Sequence, residues 1–210
     1  MSIGRIIETP ACIAEGAAWL AQVEPRFAAA LALTGPLPLR RQSDGFSQLL
    51  KAIVSQQVSV ASANAIWERL QAAGMTDPAV VTATDEDSLR ALGLSRQKAR
   101  YAKALAAAGI DYPALRALPT HEVVAHLVAV PGIGHWTAEI YAMFSLGRAD
   151  VFAPGDLALQ EAARLLFDLP DRPRPAALAR MAAGWSPWRA VAARLLWAYY
   201  RQAKNREGVA

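Results

Sequence analysis

The chain is poor in the residues that build disulfide or metal scaffolds. Its 210 residues include one cysteine, Cys12, and three histidines. A single cysteine excludes an intramolecular disulfide, a four-cysteine zinc site and a cysteine-ligated iron–sulfur cluster. Because the histidines do not cluster with carboxylates at ligand spacing, we expect no metal site and no metal-dependent hydrolysis. The fold must therefore rest on its own core, for which this length is sufficient.

Long apolar runs and β-strand patterns are also missing. No apolar stretch approaches the roughly 20 residues of a membrane span, and the first residues lack the apolar core of a signal peptide. We therefore expect a cytoplasmic protein without membrane contact. No segment shows strict alternation with β-branched residues and hairpin turns, whereas alanine and leucine dominate between glycine and proline breaks. This pattern predicts an all-α fold.

Basic residues only slightly outnumber acidic ones. The 22 basic and 18 acidic residues give a net charge of +4, which favours approach to a polyanion without requiring one. Motifs must therefore identify the function.

Local signals mark several helix boundaries. Asp and Ser before proline are typical of helix starts, and glycine is typical of helix stops. These signals predict starts at Asp77-Pro78, in the capping-box variant Thr84–Asp87 and at Ser186-Pro187, with stops at Gly93 and Gly109.

The most informative segment is LVAVPGIGHWTAEIY, residues 127–141. A first helix should end at Val130 because Pro131 cannot continue it. Two glycines, Gly132 and Gly134, allow a tight turn before a second helix near His135. Such a helix-hairpin-helix brings backbone N–H groups at a helix N-terminus close to a phosphate. By itself, however, the turn is equally typical of an ordinary helix connection.

Asp156 follows Pro154-Gly155 and precedes the helical run LALQEAARLL. Its position alone favours a helix N-cap, which accepts a hydrogen bond from an early backbone N–H. A carboxylate at a helix start is also kept ionised by the helix dipole, so capping and catalysis are compatible.

Five separated blocks in family order carry a specific resemblance. They are FSQLLKAIVSQQVSV (46–60), GLSRQK (93–98), the hairpin with WTAEIYAMF, VFAPGDLALQ (151–160) and WSPWRAVAARLLW (185–197). The chain resembles the helix-hairpin-helix superfamily of base-excision DNA glycosylases, in particular the 3-methyladenine DNA glycosylase II type in a compact form. The resemblance implies two helical lobes, 46–148 with the hairpin and 1–45 with 149–210, and an active cleft between them.

The resemblance also implies roles for individual residues. Asp156 matches the catalytic aspartate, and Trp136 and Trp197 match tryptophans of the base pocket. Tyr141 is a further candidate for the pocket, to which the resemblance assigns no role. The tyrosine that a well-known relative places in its pocket is replaced here by Ile140, so pocket shape and substrate range should differ. The other four tryptophans are expected in the core. The candidate DNA contacts are the wedge Gln57, the hairpin residues Gly132, Gly134 and Thr137, and Lys98.

Simpler interpretations of two DNA contacts stay open. Gln56-Gln57 is also typical of a polar break between helices, and Lys98 of an ordinary basic helix face.

The implied function is monofunctional hydrolysis of the N-glycosidic bond of alkylated bases in base excision repair. The enzyme would flip the base out of double-stranded DNA, and Asp156 would stabilise the oxocarbenium-like sugar. A cationic alkylated base leaves readily, so no second catalytic acid is required. We expect a monomer without cofactor, and leave open a structural monovalent cation at the hairpin.

There are two alternatives, of which the DNA clamp belongs to another class. The first is a bifunctional glycosylase/lyase; the relatives of that type carry a lysine at the position of Trp136, so the resemblance argues against it. A non-catalytic DNA clamp would need neither Asp156 nor pocket tryptophans.

Overall fold

The structure, a computed structural model, describes residues 3–207, with side chains described through residue 204. Within that range it contains helices and no β-strand; one isolated antiparallel bridge joins Ile6 and Arg148. The predicted all-α class is confirmed. The helices are α1 (Pro10–Val23), α2 (Pro25–Thr34), α3 (Phe46–Ser55), α4 (Val60–Ala72), α5 (Pro78–Ala83), α6 (Glu86–Ala91), α7 (Arg96–Ala107), α8 (Tyr112–Ala117), α9 (Thr120–Val128), α10 (His135–Phe144), α11 (Leu157–Leu166), α12 (Pro175–Ala183) and α13 (Arg189–Glu207).

Most of the predicted helix boundaries are found. Asp77 caps α5, its carboxylate accepting from the N–H of Ala79, and Pro78 is the first helical residue. Gly93 and Gly109 have φ of +109° and +57° just beyond the ends of α6 and α7. Both glycines thus supply the left-handed conformation that stops a helix.

Two predicted helix starts are wrong in detail. The cap of α6 is Asp85, whose side chain accepts from the N–H of Ser88, and not Thr84. The last helix begins at Arg189, two residues beyond the predicted Ser186-Pro187 start. At the predicted start, the Ser186 hydroxyl donates to the Asp150 carboxylate at 2.9 Å.

The chain divides into two units by its internal contacts. The terminal unit comprises Met1–Arg41 with Ala142–Ala210, and the central unit comprises Gln42–Tyr141. The terminal unit carries 14 basic and 9 acidic residues and the central unit 8 and 9, so the net positive charge belongs to the terminal unit.

In the terminal unit, α13 packs against α1, α2 and α11. An aromatic cluster of Phe27, Phe152 and Phe167 surrounds Trp185, with ring centroids 5.2–5.8 Å from the tryptophan. Trp188 is buried against Gly16, where an added Cβ would lie 2.6 Å from the indole. The predicted core positions of Trp185 and Trp188 are confirmed, whereas Trp19 and Trp67 are only partly buried.

In the central unit, α7 packs against α3, α5 and α6, and α3 also packs against α4. The buried side chains Leu49, Ile53, Leu70 and Leu105 form its core. Among the described residues, no helix has both the length and the hydropathy needed to cross a membrane.

Candidate functional site

The hairpin has the geometry that its sequence predicts. Helix α9 ends at Val128, two residues before the predicted end, and α10 begins at His135 as expected. Between them, the N–H of Ile133 donates to the Val130 carbonyl at 3.1 Å, and Gly132 has a φ of +94°. The Gly134 carbonyl accepts the first backbone bond of α10, from Ala138 at 3.0 Å. The segment is therefore a tight turn that leads directly into a helix N-terminus.

The two hairpin glycines lie in different surroundings. A Cβ on Gly132 would lie 2.4 Å from the ring of Tyr101, and its φ disfavours any side chain. Gly134 has no positive φ, and its Cβ would meet nothing within 4 Å. Gly132 thus serves packing and turn geometry, while Gly134 leaves the start of α10 open to solvent.

The first turn of α10 contains two of the predicted site residues. Trp136 is 46% exposed, which is unusual for so large an apolar side chain. Thr137 is 7% exposed, so its side chain is buried. Their roles in the base pocket and in DNA binding stay predictions.

Gln57 lies on a tight turn between α3 and α4. Its φ is +55°, in the left-handed region that residues other than glycine seldom adopt. The side chain is exposed, and the neighbouring Val58 and Val60 are 39% and 79% exposed. The helix break is confirmed, and the turn presents one polar and two apolar side chains to the outside. The wedge role stays a prediction.

Three segments of the central unit line one groove of about 550 Å³. They are the Gln57 turn, the start of α7 and the hairpin. The groove thus brings together four of the five predicted DNA contacts. Its lining residues are Gln56, Gln57, Val58, Ser95, Gln97, Lys98, Tyr101, Gly132, Ile133 and Gly134.

Lys98 has a contact within the protein. Its Nζ donates to the Val54 carbonyl, in the last turn of α3, at 2.7 Å. Partial burial lowers the pKa of this amine. A direct DNA contact by Lys98 stays a prediction, but the structure gives this side chain a second role.

Asp156 is the N-cap of α11. One carboxylate oxygen, Oδ1, accepts from the N–H of Leu159 at 2.9 Å and from the indole Nε1 of Trp197 at 3.2 Å. The loop before it is held by Gln160, whose amide donates to the Pro154 carbonyl at 2.9 Å. The capping interpretation is therefore confirmed, and the carboxylate is also oriented by one of the predicted pocket tryptophans.

Trp197 lies in an aromatic setting next to that carboxylate. Its ring stacks on Phe144 with centroids 5.9 Å apart and an interplanar angle of 29°. The guanidinium of Arg194 lies 4.6 Å from the Phe144 ring centroid. Burial lowers the pKa of Arg194 to about 10, so it remains a cation at neutral pH. Asp156, Trp197 and Phe144 thus form one connected group in the terminal unit.

Tyr141 is fully engaged in the central unit. It is 3% exposed, and its hydroxyl accepts from the N–H of Gly45 at 2.8 Å. Burial raises the pKa of the phenol to about 12. Through this contact Tyr141 holds the backbone at Gly45, the residue that precedes α3. The assignment of Tyr141 to the base pocket stays a prediction.

Several relevant residues have no recognisable sequence signal. Tyr101 fills the space under Gly132, and Gln160 fixes the loop before Asp156. Gln56, whose amide donates to the Gly132 carbonyl at 3.0 Å, stands out in the sequence only as the neighbour of Gln57. All three act through contacts between distant or non-repeating positions, which local patterns do not encode.

Glu139, in α10, gives a pH-dependent prediction. Burial raises the pKa of its carboxyl from 4.5 to about 7. Because the folded state then holds the proton more tightly than the unfolded state, the free energy of unfolding falls as pH rises from about 4.5 to 7. Glu139→Gln should therefore be more stable than wild type at pH 8, by about 1–2 kcal/mol after allowance for solvent exposure, and closer to it at pH 4.5.

Urea unfolding at the two pH values measures this effect, with Glu68→Gln, at an exposed position of α4, as the control. An equal stability difference between Glu139→Gln and wild type at both pH values would contradict it.

Comparison with known proteins identifies the family of this chain. The family model described as HhH-GPD superfamily base excision DNA repair protein matches residues 50–189. The chain is 30% identical to DNA-3-methyladenine glycosylase 1 of Schizosaccharomyces pombe, over 74% of this chain and 72% of that protein. It is 28% identical to a putative DNA-3-methyladenine glycosylase of Bacillus subtilis, over 76% of this chain but only 60% of the relative.

A solved structure is similar as well. The fission yeast 3-methyladenine DNA glycosylase Mag1, solved with abasic DNA, superposes with a TM-score of 0.75 at 28% identity, covering 87% of this chain and 95% of that one. The family match alone spans more than half of the sequence, and it includes the hairpin and the Asp156 loop. The chain therefore belongs to the HhH-GPD superfamily of base excision DNA repair proteins.

Proposed function

We propose that this protein is a monofunctional DNA glycosylase that hydrolyses the N-glycosidic bond of alkylated bases of the 3-methyladenine type. The observation that carries the proposal is the Asp156 carboxylate, held by the Leu159 N–H and the Trp197 indole at the start of α11. A fixed carboxylate of this kind can stabilise positive charge that develops on a nearby sugar. The names of the relatives support the substrate class.

The reaction follows from the charge of the damaged base. A base alkylated on a ring nitrogen is cationic, so breaking the bond to C1′ returns the electron pair to the base, which leaves neutral. The sugar becomes an oxocarbenium-like cation, and Asp156 stabilises it electrostatically. Water then bonds to C1′ and loses a proton, leaving an intact strand with an abasic sugar.

Recognition divides between the units. In the central unit the open start of α10 at Gly134 would approach a backbone phosphate, and Gln57 would fill the space of the flipped nucleotide. Within the terminal unit, Trp197 beside Asp156 would contact the cationic base by stacking and cation–π attraction, and within the central unit the exposed Trp136 is a further candidate for such a contact. Double-stranded DNA with alkylated bases is thus the proposed partner, and we propose that the protein acts as a monomer.

Side chains that could hold a metal ion do not cluster in the described residues. No group of three or more His, Cys, Asp or Glu side chains that could hold a metal ion occurs in the described part of the chain. The structural monovalent cation at the hairpin stays a prediction.

The nature of the product tests the monofunctional assignment. A lyase forms an imine between a lysine and the sugar, which borohydride reduces to a stable protein–DNA adduct. Because Trp136 has no amine that could form this imine, we expect no adduct. The DNA strand should break only after treatment with alkali. Efficient borohydride trapping, or nicking without alkali at the rate of base release, would overturn the assignment in favour of a lyase. Binding without any base release would favour the DNA clamp.

A further inference from the structure

We propose that Gln56 and Lys98 are positioning residues that hold the Gln57 turn against the hairpin. The side chain that inserts into DNA, Gln57, then keeps a fixed distance from the backbone that contacts a phosphate at Gly134. This inference rests on the proposed function, and it concerns how the damaged base is displaced. Neither side chain needs to touch the reacting atoms.

The first support is the hydrogen bond of Gln56. Its amide Nε2 donates to the Gly132 carbonyl at 3.0 Å, across 76 positions of sequence. The next residue, Gln57, has a φ of +55°. A non-glycine residue keeps this backbone conformation only where its surroundings enforce it. Gln56 supplies such enforcement and connects the turn directly to the hairpin.

The second support is Lys98, which approaches the same turn from α7. Its Nζ donates to the Val54 carbonyl at 2.7 Å, in the last turn of α3. A cation at a helix C-terminus also interacts favourably with the helix dipole. Lys98 lies in the first turn of α7, where its own N–H is accepted by the Ser95 hydroxyl at 3.2 Å. The end of α3 is therefore fixed by α7 on one side and by the hairpin through Gln56.

A fixed spacing matters because insertion of a side chain into DNA must displace a base from its stack. If the turn were flexible, the free energy gained by inserting Gln57 would be partly offset by the conformational entropy lost on ordering the turn. The two contacts should therefore affect displacement of a stably paired base more than overall affinity. A lesion that is already unpaired should need them less.

The test uses full-length protein and the variants Gln56→Ala and Gln56→Glu. Glutamate keeps the shape of the side chain, but its ionised carboxylate cannot donate to the Gly132 carbonyl. The matched control is Gln71→Ala, an exposed glutamine of α4. The readouts are single-turnover release of an alkylated base, either paired or in a mismatch, and affinity for undamaged duplex.

We expect both Gln56 variants to lower release of the paired lesion about tenfold and to change release of the mismatched lesion less than twofold. Affinity for undamaged duplex should stay within twofold, and Gln71→Ala should have no effect. Equal loss on paired and mismatched lesions would overturn the proposal, because it would indicate general damage to the fold or to the active site.

A double-mutant cycle with Gln57→Ala tests whether Gln56 acts through Gln57. If Gln56 acts only through Gln57, its substitution should cost less than twofold once Gln57 is alanine. Independent, multiplicative losses would refute the positioning role.

Lys98→Met tests the second contact. A positioning role leaves the salt dependence of binding to undamaged duplex unchanged, whereas loss of a phosphate contact lowers the slope against log salt by about one. A lowered slope would assign Lys98 to the DNA backbone and remove it from this proposal.

Insertion of the Gln57 side chain can also be measured without base release, by the fluorescence of 2-aminopurine placed beside an abasic-site analogue. Wild type should raise this signal and Gln56→Ala should weaken the rise. A normal rise in a protein that releases no base would refute the proposed function and leave the positioning role intact. No rise with wild type would refute the positioning role.

Discussion

Asp156→Asn is expected to lower base release at least a hundredfold while leaving DNA affinity within about threefold. The substitution keeps the size of the side chain and an oxygen that can accept from the Leu159 N–H and the Trp197 indole, as the Asp156 carboxylate does. It removes only the negative charge that stabilises the sugar cation. Loss of one such preorganised electrostatic group typically costs 10²–10³ in rate, roughly 3–4 kcal/mol.

The measurement compares single-turnover release with gel-shift affinity, and it needs a control for the cap. Asparagine is as good an N-cap as aspartate, whereas Asp156→Ala should also destabilise the fold by about 1 kcal/mol. Thermal unfolding separates the two variants. If Asp156→Asn released base within a few-fold of wild type, the residue would be a cap and the mechanism would fail.

Gly134→Val is expected to weaken binding about tenfold on every duplex, damaged or not. The new side chain would meet no protein atom within 4 Å of its Cβ, so the fold should tolerate it. It would, however, project from the start of α10 and keep a phosphate away from the backbone N–H groups. Because those groups do not read sequence, the loss should be uniform.

Binding to several unrelated duplexes by fluorescence anisotropy measures the effect. Gly184→Val is a matched control, since Gly184 is exposed, has no positive φ and lies outside the hairpin. Gly132→Val is unsuitable, because a Cβ there would lie 2.4 Å from the Tyr101 ring. Unchanged affinity in a folded Gly134→Val protein would show that the hairpin does not contact DNA.

Signals carried by neighbouring residues predicted the structure well. Asp77-Pro78 starts a helix, and Gly93 and Gly109 follow helix ends. The hairpin was predictable for the same reason, since proline and glycine restrict the backbone wherever they occur. The helix start predicted at Ser186 was wrong, and there the hydroxyl donates to Asp150, 36 residues away in sequence, a contact that no local pattern indicates.

The candidate site was predictable only in part. The position of Asp156 before a helical run predicted that it caps a helix, and the family resemblance predicted that it is catalytic. Neither signal predicted its hydrogen bond with Trp197, which joins residues 41 apart in sequence. The contacts of Gln56 with Gly132 and of Lys98 with Val54 span 76 and 44 positions. Such contacts depend on how helices pack, and in a single sequence no periodicity or composition marks them.

Release of free base from methylated duplex DNA tests the central claim most directly. Chromatography of the products should show 3-methyladenine appearing in a time- and enzyme-dependent manner, because a cationic purine leaves as a neutral base and needs only Asp156 to stabilise the sugar. Undamaged adenine should remain bound to the sugar under the same conditions. If wild type released no alkylated base, or released normal and alkylated purines at equal rates, alkylbase glycosylase activity through Asp156 would be contradicted.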